Sequence, residues 1–322
     1  MKFSLTRRVA MGAVITMAFT AAHAQWPDRP IKIVVPSAAG GAPDNLTRLV
    51  SNELAKRLGQ SIVIENRPGA AGNIGMQAVA TAPADGYTIG YGNNATLTTN
   101  EFLFSKLPYD PQRLEPIINV SKTASLLVVN NNLPFRSVQE LIAYAKQNPG
   151  KMMFASGGTG TSGHIGAELF KLMTGIDATH VPYKGAPQAL NDLMGGQVDF
   201  LIDNYSSAGP HVTAGRVRAL AVTALERTPL FPNVPTLDEA GVKGYEVTAW
   251  GGFVAPQGTP QEVIMRLNKE LNAVLQDKEI HAKLVKLGST VGGGSPEDFR
   301  NLIKSERVKW GELVRKTGAK VD

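Results

Sequence analysis

The stretch KMMFASGGTGTSGHIGAELFKLM, residues 151–173, has the residue types of an anion-binding site. A short apolar run enters a glycine-rich turn and leaves it as an amphipathic helix, so unpaired backbone N–H groups and the positive end of the helix dipole point at the turn. Ser156, Thr159 and Thr161 supply hydroxyls, Gly158 and Gly160 allow close approach to the backbone, and His164 falls in the first helical turn. The same design occurs earlier. Residues 31–35 run into Pro36-Ser37-Ala38-Ala39-Gly40-Gly41, and a helix opens at Pro43 with Asp44 in its first turn. Two such turns in one chain imply capture of a small carboxylated molecule.

The elements that must position these turns alternate between strand-like and helix-like segments, which predicts an α/β fold built on largely parallel strands. Strands are expected at residues 31–35, 61–65, 87–91, 198–202 and 218–222, and helices over 43–58 and 74–82. Three capping sequences start further helices: Ser137-Val138-Gln139-Glu140, Thr259-Pro260-Gln261-Glu262 and Ser295-Pro296-Glu297-Asp298, the last running to about residue 316. Polar residues at strand ends are further ligand candidates, because open α/β sheets place ligands there. They are Asn93 and Thr96 after the 87–91 strand, and Asp203 and Asn204 after the 198–202 strand. Tyr183-Lys184-Gly185 joins a strand to a helix and reads equally as a ligand clamp or as structure. Asp44 either complements its helix dipole or meets a ligand donor. A carboxylate at Asp203 repels a carboxylate ligand unless the ligand brings a donor there or Asn204 separates the charges.

Composition removes several chemistries. The chain has no cysteine, which excludes disulfides, thiolate catalysis and thiolate-held metals. His164, His180, His211 and His281 show no metal-binding spacing. Gly160-Thr161-Ser162-Gly163-His164 lacks the closing glycine of a hydrolase elbow. The first 24 residues read as a secretory signal peptide: Lys2, Arg7 and Arg8, an apolar run, then Ala22-His23-Ala24. Thr6-Arg7-Arg8 raises twin-arginine export, but Val9-Ala10-Met11 does not continue that signal. Without the signal, 30 basic residues face 27 acidic ones, an excess too diffuse to imply nucleic acid or a membrane surface.

Gly158-Thr159-Gly160-Thr161-Ser162-Gly163 formally passes the dinucleotide-loop test, with Asp177 in the acidic position. The alternative reading is therefore an exported NAD(P)-dependent oxidoreductase using Gly158, Gly160 and Gly163. A purely structural glycine turn is a third reading.

Across nearly the whole exported part, the sequence resembles the Bug-type substrate-binding proteins of tripartite tricarboxylate transporters. The resemblance is carried, in order, by Trp26-Pro27-Asp28-Arg29-Pro30-Ile31, Val63-Ile64-Glu65-Asn66-Arg67-Pro68-Gly69-Ala70-Ala71-Gly72, Pro83-Ala84-Asp85-Gly86-Tyr87-Thr88, Leu107-Pro108-Tyr109-Asp110-Pro111, His180-Val181-Pro182-Tyr183-Lys184-Gly185, Gly195-Gly196-Gln197-Val198-Asp199, Arg218-Ala219-Leu220-Ala221-Val222-Thr223, Val234-Pro235-Thr236 and Ala255-Pro256-Gln257-Gly258-Thr259-Pro260. It implies a two-lobed type II periplasmic binding fold with the ligand cleft between lobes. Signal peptide 1–24 would be followed by lobe 1 over 25–120 and 225–322, with the C-terminal helices free to cross, and lobe 2 over 121–224. It also implies a non-enzymatic, cofactor-free monomer in the periplasm that hands a carboxylate to a membrane permease or informs a sensor protein. The first-lobe loop carried over is 37–44, with Ser37, Ala39, Gly40, Gly41 and Asp44, and the second is 156–164. Ser37 stands where family members often have an aromatic residue, which makes that wall smaller and wetter.

Overall fold

The computed structural model describes residues 26–183, 185–317 and Lys320. The expected signal segment and Lys184 lie outside the described residues. In chain order the elements are β1 (Ile31–Val35), α1 (Ala42–Leu58), β2 (Ile62–Asn66), α2 (Asn73–Ala80), β3 (Thr88–Asn93), α3 (Asn100–Leu103), β4 (Glu115–Asn130), α4 (Val138–Gln147), β5 (Met152–Ser156) and α5 (Ser162–Thr174). They continue with β6 (Ala178–Pro182), α6 (Ala186–Met194), β7 (Phe200–Asn204), α7 (Tyr205–Thr213), β8 (Val217–Val222), β9 (Thr248–Ala255), α8 (Gln261–Gln276), α9 (Lys278–Lys286), β10 (Ser289–Gly293) and α10 (Pro296–Thr317).

Local sequence explains most of these boundaries. In α1, Leu46, Val50, Leu54 and Leu58 recur at helical spacing and are all buried, and Gly59 ends the helix in the left-handed conformation. Ser137 caps α4 by accepting the Glu140 N–H. At α10 the capping box closes in both directions: Ser295 Oγ accepts the Asp298 N–H at 3.1 Å, and Asp298 accepts the Ser295 N–H at 2.8 Å. The box expected at Thr259 does not form. Its hydroxyl donates backwards to the Pro256 carbonyl at 2.9 Å, because Pro260 occupies the cap position and leaves Thr259 one residue outside the helix.

The strand that organises the molecule is β4. Its first half pairs with β9 and β10, and from Ser125 onward it pairs with β7 and β8. The sheet order is β2-β1-β3-β9-β4-β7-β5-β6, with β8 and β10 also on β4. Two sets of cores follow. Ile31, Ile33, Ile89, Phe253 and Leu267 pack on the β1–β3 side, and Phe154, Phe170, Phe200 and Ile202 on the β5–β7 side. Residues 225–247, grouped by sequence with lobe 1, contribute Leu237, Val242, Tyr245 and Val247 to the second core. Helix α10 spans both sides, with Phe299 in a first-side cluster and Trp310 in the second.

Strand directions place the ligand candidates. β1, β2 and β3 are mutually parallel, and β3 reaches β4 through antiparallel β9, so all three point the way β4 points. β5, β6 and β7 are parallel to one another and antiparallel to β4. The C-terminal ends of the two strand sets therefore face each other. Asn93 at the end of β3 pairs with Gly251, which pairs with Ser121, whereas Asn204 at the end of β7 pairs with Ser125. Along the direction of β4 those four residues amount to about 13 Å, and across the sheet β9 and β4 also lie between the two ends.

Candidate functional site

On the first side, the loops after β1, β2 and β3 meet. A Cβ at Gly72 would lie 2.8 Å from Thr96 and 3.2 Å from the Pro36 carbonyl, so only glycine lets these three segments touch. Asp44, 2% exposed, fixes the first loop. It accepts the Gly40 N–H at 2.8 Å, the Asn66 amide at 2.9 Å and Arg48 Nε at 3.0 Å. Burial pushes the Asp44 carboxyl up, but the bonds from Arg48, Gly40 and Asn66 outweigh it and hold the pKa at about 2. Its acceptors are thus turned inward onto the loop. Asn66 also donates to the Ser37 carbonyl at 3.2 Å, which ties β2 to the same loop.

What this loop leaves free is a set of donors. The Gly40 N–H goes to Asp44 and the Gly41 N–H to the Ala38 carbonyl at 3.4 Å, but the exposed Ala39 N–H has no acceptor among the described residues, and Ser37 Oγ is buried without a hydrogen-bond partner among them. The N–H groups of Ala42 and Asp44, in the first turn of α1, have no acceptor among the described residues either. Asn93 and Thr96 bond mainly to each other. Thr96 Oγ1 accepts the Asn93 N–H and Asn93 Oδ1 accepts the Thr96 N–H, both at 3.1 Å, which starts the short π-helical turn Ala95–Thr99.

On the second side, β5 ends in Ser156, which is fully buried. Its hydroxyl lies 3.1 Å from the Gly158 carbonyl, 3.2 Å from the Gly158 N–H and 2.7 Å from His180 Nε2. Gly160 donates its N–H to His164 Nδ1 at 3.1 Å. Thr161 caps α5, accepting the His164 N–H and donating to the Gly158 carbonyl at 2.7 Å. The N–H groups of Thr159, Ser162 and Gly163 find no acceptor among the described residues, so the turn keeps free donors beside its internal bonds. Removing the cap hydroxyl with Thr161→Ala is expected to cost about 1 kcal/mol of stability and to weaken carboxylate binding while the fold persists. Denaturation midpoints and calorimetric titration of the same preparation check both effects.

The remaining candidates sit at neighbouring strand ends. Tyr183 donates its phenolic proton to Asp192 at 2.6 Å, and burial together with that carboxylate pushes the phenol up to about 12. Asp203 and Asn204 are the last two residues of β7 rather than the start of the following loop. Asp203 accepts from the Ser207 hydroxyl, and burial raises its pKa to about 6 against that bond and the Asn204 N–H. Asn204 Oδ1 accepts from Ser125 at 3.2 Å, linking this end to β4. Sequence reasoning missed Asn66, Arg48 and His180 as site-building residues. The first and last lie inside the motifs quoted above, and Arg48 is one turn after Asp44.

The dinucleotide reading fails on geometry. Asp177 precedes β6 and lies beside Gly150, at the N-terminal end of the sheet. It is a full five-residue strand, about 17 Å, from the glycine turn and cannot meet a ribose held there.

Two α/β lobes whose strand ends and helix N-termini oppose one another across a shared long strand define a solute receptor of the type II periplasmic binding architecture. The sequence profile described as "Tripartite tricarboxylate transporter family receptor" matches residues 46–319, and the chain belongs to that family. It is 36% identical to the protein BugT of Bordetella pertussis, with 99% of each chain covered. Among solved structures it is similar to Rpa4515 of R. palustris with adipate, at 40% identity and a TM-score of 0.84 over 91% of this chain and 98% of that one. It is also similar to MatC (Rpa3494) from Rhodopseudomonas palustris with bound malate, at 34% identity and a TM-score of 0.81 over 90% and 100%. The chain is accordingly a periplasmic, non-catalytic receptor that binds a small carboxylate for a tripartite transporter.

Proposed function

We propose that the ligand is a linear dicarboxylic acid held between the lobes, one carboxylate at the 37–44 loop and the other at the 156–164 loop. The observation that carries this reading is the opposition of two donor-rich helix N-termini. The two loops follow β1 and β5, whose C-terminal ends point toward each other from opposite halves of the sheet, so one ligand with a carboxylate at each end can meet both. The similar structures with adipate and malate support a dicarboxylate as the class. Each helix terminus contributes about 0.3–1 kcal/mol to an exposed anion and more to a shielded one, so Ser37, Thr159 and the free N–H groups must act together. The ligand touches both lobes only when they close, which couples capture to a shape the membrane permease reads. Residues 1–24 serve as the secretory signal, and the mature chain acts as a monomer. Thermal unfolding of residues 25–322 against organic acids, amino acids and nicotinamide cofactors tests the proposal. A stabilisation of about 2.7 kcal/mol is expected at a hundredfold excess of a dicarboxylate over its dissociation constant. A shift with NAD and none with any acid would overturn it.

Asp203 gives the capture a pH dependence in this reading. Its carboxyl, raised to about 6, is charged above that pH and repels a nearby ligand carboxylate, then loses the charge as pH falls. Measured relative to Asp203→Asn at the same pH, so that titration of the ligand's own carboxyls cancels, dicarboxylate affinity of the parent is expected to rise by about an order of magnitude between pH 8 and pH 5, since about 1.4 kcal/mol of relieved repulsion is tenfold. Calorimetry should show Asp203→Asn binding about tenfold tighter than the parent at pH 8 and no tighter at pH 5. Equal pH dependence in variant and parent would remove Asp203 from the cleft.

A further inference from the structure

We infer that His164 and His180 form a stacked positioning pair that fixes the glycine turn from behind, one ring holding Gly160 and the other holding Ser156. This deepens the carboxylate reading and rests on it for its functional consequence.

The hydrogen-bond inventory determines how the pair works. His164 Nδ1 accepts the Gly160 N–H, so that nitrogen carries no proton and the ring is the Nε2–H tautomer. The Ser156 hydroxyl has one proton and two lone pairs. Every contact is satisfied when it donates to the Gly158 carbonyl and accepts from the Gly158 N–H and from His180 Nε2–H. His164 is therefore neutral in the Nε2–H form, and His180 presents its Nε2–H to Ser156. They stack with centroids 4.1 Å apart, and Phe154 continues the stack 4.7 Å from His180. The rings come from three elements, β5, α5 and β6, so the pair joins the turn to the strand beside it.

The surroundings keep the rings neutral. Burial and then the Lys171 ammonium lower His164 to about 4. Burial, then His164, lower His180 to about 4, with Lys171 acting in the same direction and Glu168 opposing. Lys171 lies over the Phe154 ring at 5.3 Å and is bonded to Glu168 at 3.1 Å. Protonating His164 removes the acceptor for Gly160, so the turn loosens only at pH values well below those where an ordinary histidine titrates.

The test is amide hydrogen exchange at Gly158 and Gly160 in the ligand-free mature protein at pH 6, together with a pH titration of the histidine ring signals. His180→Phe keeps an apolar ring in the stack but removes the bond to Ser156, and His164→Phe removes the acceptor for Gly160. At least tenfold faster exchange is expected at Gly158 in the first variant and at Gly160 in the second. In the parent, both rings should titrate near 4, with Gly160 protection lost in step. Unchanged exchange in both variants, or parent rings titrating independently near 6.5, overturns the inference. The parent measurement needs no variant to fold. Binding of adipate and malate by the parent is read separately, and its failure would sink the dicarboxylate proposal while leaving the exchange result to judge the pair.

Discussion

Replacing Asp44 by alanine is expected to cost about 3 kcal/mol and to abolish carboxylate capture at the first loop. The carboxylate is buried and takes three donors, so truncation strands the Gly40 N–H, the Asn66 amide and Arg48 together. Arg48 lowers the carboxyl's pKa most, but its side chain is 48% exposed, so water screens its share of the stability. The backbone and amide bonds give the loop its shape. The pH dependence has a definite sign. A carboxyl whose folded pKa is about 2 against 3.8 unfolded contributes stability that is complete above 3.8 and is lost as pH falls through 2. Its share is about 2 kcal/mol, and acid unfolding monitored by circular dichroism should show the parent losing it below pH 4 while Asp44→Ala does not. Identical acid limbs would mean that the carboxylate does not hold the loop.

The second large effect is expected from Gly163→Ala. A Cβ at this position would lie 2.3 Å from the Ile202 carbonyl, a backbone atom that cannot swing aside. Helix α5 must then lift off β7, at the helix end that opens onto the glycine turn. The expected cost is about 3 kcal/mol or more, at the upper end of overpacking, with a fall in Tm of about 6–10 °C. Dicarboxylate affinity should fall with it, since the displaced turn includes Thr159 and Thr161. Calorimetry and thermal scans on one preparation check both. An unchanged Tm would contradict the close approach of helix and strand.

Much of this was legible in the sequence. The glycine turn at 156–164, the 37–44 loop and the alternation of strand and helix follow from residue spacing, and α1, α4 and α10 begin close to where their capping residues predict. The long strand β4 was not legible. Its two apolar halves, around Ile117–Val120 and Leu126–Val129, are separated by Ser121-Lys122-Thr123-Ala124-Ser125, which reads as a connection. Only pairing with β9 and β10 on one half and β7 and β8 on the other makes that polar stretch part of a strand crossing between lobes. The same limit applies to individual residues. Ser156 and His164 have the types of ligand donors, yet both are buried: Ser156 bonds the distant His180, and His164 accepts from Gly160 within the turn while its ring stacks on His180. Side-chain type announces what a group offers, whereas the partner that uses it depends on which strand lies alongside.

The central claim is that donors from both lobes hold one carboxylate ligand. It is tested most directly by following backbone amide resonances of the mature protein during titration with adipate and with malate. Saturable shifts, with one shared midpoint for a given acid, are expected at Ala39–Ala42 in the first lobe and at Thr159–Gly163 in the second. Neither loop responding to either acid, or the second loop alone responding and only to NAD, would contradict it.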